Sequence, residues 1–205
     1  MNRRAMTNRF TKFAAALTLP VALLLSACGG AGPTEEPPLA GARIGGPFTL
    51  TDSAGKQVSW SDFDGKYRIV YLGYAYCPDV CPMDVQRIMR GYEAFQQEEP
   101  EMAAQVQPIF ITIDPERDTP EVLAEFIGHF PKGLVALTGT PEQIAQVVKD
   151  YGAVAKKGEV QANGGYLMDH TNITYLMGRK GEPLAMLPTD QGPEAVAADL
   201  AKWTD

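Results

Sequence analysis

Two stretches of this chain are apolar and aromatic almost without a break: RIVYLGY at 68–74 and PIFITID at 108–114. A strand with one wet face would alternate, and a helix would need more length. Short unbroken runs of this kind are strands covered on both faces, as in parallel sheets. Between them, from residue 82 to about 97, Val85, Ile88, Met89, Tyr92 and Phe95 recur at helical spacing on one face. After the second run, Thr119-Pro120-Glu121 supplies an N-cap and a proline at the first helical position. Buried strand, helix, buried strand, helix is a pattern that demands a sheet with helices packed on its faces.

The remaining segments extend this pattern. LVALTG (134–139) reads as a third strand, and Thr140-Pro141-Glu142-Gln143 opens another helix as a capping box. ITYLMG, the turn RKGEP and LAMLP read as an antiparallel pair, followed by a last helix from about Pro193 to Trp203. Upstream, 48–50 and 57–60 flank DSAG as a small hairpin. The expectation is an α/β domain over residues 44–205, a thioredoxin-like fold with an N-terminal β-hairpin and an insertion.

The first 43 residues are of another kind. Residues 1–12 carry Arg3, Arg4, Arg9 and Lys12 with no acid, and the largely apolar FAAALTLPVALLL follows, then LSAC ending at Cys28. Basic region, apolar region and small-residue cleavage site are the order of a secretory signal. The apolar run is too short to span a bilayer, and Pro20 interrupts it. A cysteine directly after Leu-Ser-Ala resembles the lipobox of bacterial lipoproteins. That resemblance implies a signal peptide at 1–27, lipidation of Cys28 as the mature N-terminus, and attachment on the periplasmic side of a bacterial membrane. Residues 28–43, rich in Gly and Pro and without apolar periodicity, read as a flexible tether to the domain. Without residues 1–27 the chain keeps 14 basic and 25 acidic residues, a net charge of −11. Such a surface argues against nucleic acid and against a basic patch for anionic lipids, so the acyl chains would do the anchoring.

Cys28 aside, only Cys77 and Cys81 remain, in YLGYAYCPDVCPMD at the end of a buried strand. Open α/β sheets build their sites at that edge. Cys81 precedes Pro82, and a residue before proline avoids helical geometry, so Cys81 is expected at the N-cap of the next helix. There the positive helix end favours thiolate over thiol. Three uses of the pair fit the spacing: a structural disulfide, a redox pair and a metal clip. A bridge closing so short a loop contributes little chain-entropy stabilisation. Thioredoxin-type exchange uses C-x-x-C with a proline beside the sulfurs before the third core strand. Here the spacing is C-x-x-x-C, and no proline falls between Pro141 and Pro183.

A metal needs further donors, and the chain has two histidines, His129 and His170. His129 lies near a helix end and reads as structural or surface. His170 follows a Gly-rich loop and directly precedes a strand, a junction where functional side chains sit. Two thiolates and one imidazole form a soft three-donor set that suits copper, Cu(I) in particular; structural zinc would require a fourth ligand.

YLGYAYCPDVCPMD, ITIDPERDTPEVL and YLMDHTNITYLM, in this order, resemble the Sco/SenC family over residues 44–203. The resemblance implies a membrane-tethered, thioredoxin-like protein that binds one copper per chain, as Cu(I) and/or Cu(II), through Cys77, Cys81 and His170. It implies a metallochaperone that serves the dinuclear CuA centre of a cytochrome c oxidase subunit. A thiol-disulfide reductase that keeps the oxidase's ligand cysteines reduced is the alternative use of the same pair. Partners are then the CuA-bearing subunit and other periplasmic copper chaperones or thiol-disulfide reductases. The chain departs from the family pattern at Tyr76, where many members have histidine. Asp79 and Asp169, beside the ligand motifs, are candidates to orient the ligands from behind. Asp114, Arg117 and Asp118 read as a loop held by local hydrogen bonds and charge pairs.

Overall fold

The structure, a computed structural model, describes residues 35–162 and 164–204. The leader, its apolar run and Cys28 lie outside the described residues. An N-terminal pair, β1 (Thr49–Asp52) and β2 (Gln57–Ser59), precedes β3 (Tyr67–Gly73) and α1 (Val80–Glu98). The one-turn α2 (Pro100–Ala103), β4 (Val106–Thr112), α3 (Pro120–Ile127), β5 (Val135–Thr138) and α4 (Pro141–Asp150) follow. The chain ends with β6 (Ala155–Lys157), β7 (Met168–His170), β8 (Thr174–Met177), β9 (Pro183–Leu187) and α5 (Pro193–Trp203).

Seven strands make one sheet in the order β2-β1-β5-β4-β3-β8-β9, with β3, β4 and β5 parallel at its centre and the flanking pairs antiparallel. All seven residues of β3 are buried, as the unbroken run requires. One of them is Arg68, fully buried. Its guanidinium donates to Asp64 and to the Gly178 carbonyl, each at 3.0 Å, and stacks 4.3 Å from the Trp60 ring. Burying that charge without such partners would be prohibitive. β4 ends two residues before the apolar run does. The Asp114 amide turns back to the Thr112 hydroxyl at 2.9 Å, so Ile113 and Asp114 belong to the loop beyond the strand.

α1 buries Val85, Ile88, Met89, Tyr92 and Phe95, the stripe expected of it, each side chain contributing about 1.5–3 kcal/mol. It crosses α5 closely at Gly91. A Cβ there would lie 2.7 Å from the Pro193 carbonyl oxygen and from Val196, so only glycine lets the two helices approach this far. Thr119 and Thr140 cap α3 and α4 as their sequences indicate, the second as a capping box with Gln143. The α/β, thioredoxin-like layout with its N-terminal hairpin is the one expected. The insertion is a separate two-stranded ribbon, β6 with β7, which the sequence pattern does not reveal.

The domain begins earlier than residue 44. The Leu39 amide donates to the Leu184 carbonyl at 2.9 Å, and Leu39 packs against the core. Glu35 meets Lys202 at 2.9 Å. A stretch too polar to build a core of its own can still dock one leucine onto an existing one.

Candidate metal centre

Past Gly73 the chain leaves the sheet and runs over its carboxyl edge to α1, carrying Cys77 and Cys81. No side chain fits at Gly73: a Cβ there would sit 2.7 Å from the Tyr71 ring and 3.2 Å from Cys81 Sγ. The strand end is thus shaped around the sulfur of Cys81, which is fully buried, whereas Cys77 is half-buried.

The expected placement of Cys81 at the N-cap is not what the structure shows. α1 starts at Val80 with Asp79 as its N-cap, and Cys81 is the second helical residue. Pro82 then occupies the first turn, where its missing N–H costs no helical hydrogen bond. The electrostatic consequence is reversed as well. The Cys81 amide points at Cys77 Sγ, 3.3 Å away. Burial by itself would push the Cys77 thiol up. Hydrogen bonds from the backbone of Cys81 and Asp79, from the Cys81 thiol and from the Tyr74 hydroxyl outweigh it, and Cys77 falls below the ordinary thiol value. Burial pushes Cys81 well above it. The helix end therefore favours the thiolate of Cys77, the residue outside the helix, and Cys81 stays protonated.

His170 reaches the cysteines from the end of β7, opposite Ala155 in the ribbon, rather than from a loop ahead of a strand. Its Nε2 lies 3.4 Å from Cys81 Sγ, and its Nδ1 lies 3.2 Å from the Thr171 carbonyl oxygen. A carbonyl only accepts, so Nδ1 carries the proton and Nε2 presents a lone pair toward the sulfur. Burial lowers the His170 pKa, while the Thr171 carbonyl and the charges of Asp84 and Asp169 pull the other way. The imidazole is neutral at pH 7. The Tyr74 ring meets it edge-on with centroids 5.7 Å apart. The Tyr74 hydroxyl accepts from the Met168 amide at 3.3 Å, joining the ribbon to the cysteine loop.

Of the three donors, Cys81 Sγ and His170 Nε2 stand 3.4 Å apart, and Cys77 Sγ is held against the Cys81 main-chain amide. Among the described residues, no three Cys, His, Asp or Glu side chains are already spaced as a closed metal cradle. The donor set nevertheless fits a soft metal. Sulfur and nitrogen ligands of one tetrahedral ion, with bonds of about 2.3 and 2.0 Å, lie about 3.5 Å apart. Cys81 and His170 already stand at that separation.

Asp79 and Asp169 are exposed, and Asp169 faces Lys156 across the ribbon. His129 is exposed beyond α3, in a groove of about 710 Å³ between α1 and α3 that Tyr76 and Met83 also line. The reading of the sequence missed two residues behind the sulfurs. Tyr71 donates to Asp84 at 3.1 Å, and burial raises the pKa of both. A carboxylate three residues after Cys81, inside the apolar stripe of α1, was the available signal.

The DPERD loop (114–118) lies behind the cysteine loop. Asp118, fully buried, accepts from the Ala75 amide at 2.8 Å and the Thr112 hydroxyl at 2.6 Å, while its other oxygen has no partner among the described residues. Burial raises its pKa to about 6 against those hydrogen bonds. A carboxyl whose folded pKa exceeds its unfolded value binds protons more tightly in the folded state. It therefore costs stability progressively as pH rises from about 4 to about 6, by on the order of 3 kcal/mol in full. Urea titrations should show the unfolding free energy of Asp118→Asn falling less across that window than that of wild type. Parallel profiles for the two proteins would refute the assignment.

The profile described as SCO1/SenC matches residues 36–205. The chain belongs to the SCO1/SenC family. Among curated relatives, "Protein SenC" of Rhodobacter capsulatus is 40% identical over 81% of this chain and 73% of its own length. "Protein SCO1 homolog, mitochondrial" of Homo sapiens is 35% identical over 77% of this chain and 52% of its own. This SCO1/SenC chain thus spans about half of the human relative's length. Among solved structures, Bradyrhizobium japonicum ScoI with copper bound is 40% identical, with a TM-score of 0.71 over 78% of this chain and 99% of its own. The thioredoxin-like fold is that of the Sco proteins.

Proposed function

We propose that this chain is a copper metallochaperone that binds one copper through Cys77, Cys81 and His170 and delivers it to the CuA centre of a cytochrome c oxidase subunit. One observation carries the reading. His170 turns an unprotonated nitrogen toward Cys81 at 3.4 Å, next to a second sulfur held toward its thiolate form. A soft metal takes that nitrogen as the third donor beside two sulfurs. The copper-bound relative from Bradyrhizobium and the CPDVCP and DPERDTPE motifs support the choice of metal and of target. Cys77 offers a ready thiolate, Cys81 gives up its proton as it ligates, and the Thr171 carbonyl keeps His170 in the ligating tautomer.

Reduced protein dialysed against buffered Cu(I) should take up about one copper per chain. Cells lacking the chain should assemble an oxidase poor in copper at limiting supply. No uptake by the reduced protein, or a fully metallated oxidase without the chain, refutes the proposal.

A thiol-disulfide reductase is the second reading, and the asymmetry of the pair favours it. Cys77 as thiolate would attack a partner disulfide and release one partner thiolate. Cys81, losing its proton, would then displace the second, leaving a Cys77–Cys81 disulfide and a reduced partner.

The protein works, in this reading, from a lipid on Cys28 at the periplasmic side of a bacterial membrane. The leader sequence and the LSAC motif support this. Cys28→Ser should leave the protein unprocessed or free of the membrane fraction. A Cys28→Ser protein cleaved normally and wholly retained in membranes would rule the lipid anchor out.

A further inference from the structure

The ribbon that carries His170 is not part of the seven-stranded sheet; among the described residues, β6 and β7 pair only with each other. Besides the short link from His170 to β8, contacts with the 114–118 loop hold it beside the cysteines, among them the Lys157–Glu116 pair at 2.6 Å. The Arg117 guanidinium lies 3.6 Å from the Tyr166 ring, just ahead of β7. It also reaches the rings of Tyr76 and Tyr74 on the cysteine loop, at 5.1 and 5.7 Å. Its Nη1 donates to the Tyr166 carbonyl at 2.9 Å and its Nε to Asp114 at 2.5 Å. Asp114 in turn accepts from the Tyr166 hydroxyl at 2.9 Å. One arginine thus holds an aromatic residue from each ligand-bearing segment, while a carboxylate fixes both the arginine and the ribbon tyrosine. A planar cation with donors in its plane and free faces meets all of these demands together, and lysine does not.

We propose that Arg117, locked by Asp114 onto Tyr166, is a positioning residue that sets the reach of His170 to the sulfurs. This rests on the copper site assigned above, but the latch itself is a property of the metal-free chain. With the latch open, the ribbon loses its tie through Arg117 to the cysteine loop, and His170 is held less firmly at its distance from Cys81. With it closed, His170 stands at ligand distance from Cys81 before any metal arrives.

The test measures amide hydrogen exchange of the metal-free protein alongside copper affinity and the sulfur-to-copper charge-transfer spectrum of the Cu(II) form. Arg117→Ala should speed exchange at 155–170 by about tenfold or more while exchange in β3 and β4 stays as in wild type. Copper affinity should fall about 10- to 100-fold, and the charge-transfer band should shift, as for groups that orient a metal ligand. Tyr166→Phe keeps the ring and removes only the bond to Asp114, so it should move the same readouts less far. It serves also if Arg117→Ala fails to fold. Arg117→Lys should not restore the wild-type spectrum. Unchanged ribbon exchange in Arg117→Ala, or in Tyr166→Phe if only that variant folds, overturns the proposal. Faster exchange with wild-type affinity and spectrum overturns it too. A wild-type protein that takes up no copper would sink the metallochaperone reading instead, and the exchange rates would then judge the latch alone.

Discussion

Oxidation of Cys77 and Cys81 to a disulfide is expected to abolish high-affinity copper binding, and Cys81→Ser to weaken it about a hundredfold or more. A disulfide sulfur is no longer a thiolate, and only the thiolate is a good ligand for a soft ion. Serine keeps the volume of Cys81 nearly unchanged but offers a hard hydroxyl, so the fold should survive the change better than the site. The Cys81 sulfur is the one that already stands at ligand distance from His170, 3.4 Å from Nε2. Its loss leaves no donor pair so placed, whereas Cys77→Ser keeps Cys81 and His170 3.4 Å apart. Cys77→Ser should therefore bind copper weakly but more tightly than Cys81→Ser. Competition with a chromophoric Cu(I) chelator under reducing conditions measures all three proteins. A Cys81→Ser protein within about tenfold of wild type would show that copper sits elsewhere.

Much of the fold was legible in the sequence because its signals are local. The unbroken runs of β3 and β4 and the threonine caps of α3 and α4 each act within a few residues. The ribbon was not legible for the opposite reason. β6 and β7 are three residues long, lack an apolar period, and are held by Tyr166, Arg117 and Asp114 from different parts of the chain. The sequence points to His170, but its position at a strand end follows from contacts that no window contains.

Cys81 illustrates a local rule overruled by packing. A residue ahead of proline and near a helix start is expected outside the helix with a depressed pKa. The apolar stripe of α1 runs back through Asp84 to Cys81 and draws that sulfur into the core beneath Gly73. Burial then outweighs the helix end, and the thiolate character passes to Cys77, which faces the same amides from outside. The carboxylate in that stripe, Asp84, reads in the sequence as a break in the pattern. Here it is a partner for Tyr71.

His170→Ala should separate the two chemistries of the sulfur pair. A reductase needs Cys77 as nucleophile and Cys81 as the resolving thiol, and the hydrogen bonds that lower Cys77 come from Cys81, Asp79 and Tyr74, none of them from His170. The variant should thus still cycle between dithiol and disulfide at close to the wild-type potential. A copper donor needs the third group, because two thiolates alone leave the ion open to competitors. Copper affinity should fall by about a hundredfold or more, while His129→Ala, altering an exposed side chain beyond α3, should leave it unchanged. In cells, His170→Ala should lower the copper content and activity of the oxidase at limiting copper. Added copper should restore them in part by mass action on the weakened site. If His170→Ala cells instead build a fully active oxidase at limiting copper while Cys77→Ser cells do not, the pair works by thiol exchange, and the imidazole beside it serves some purpose other than holding copper.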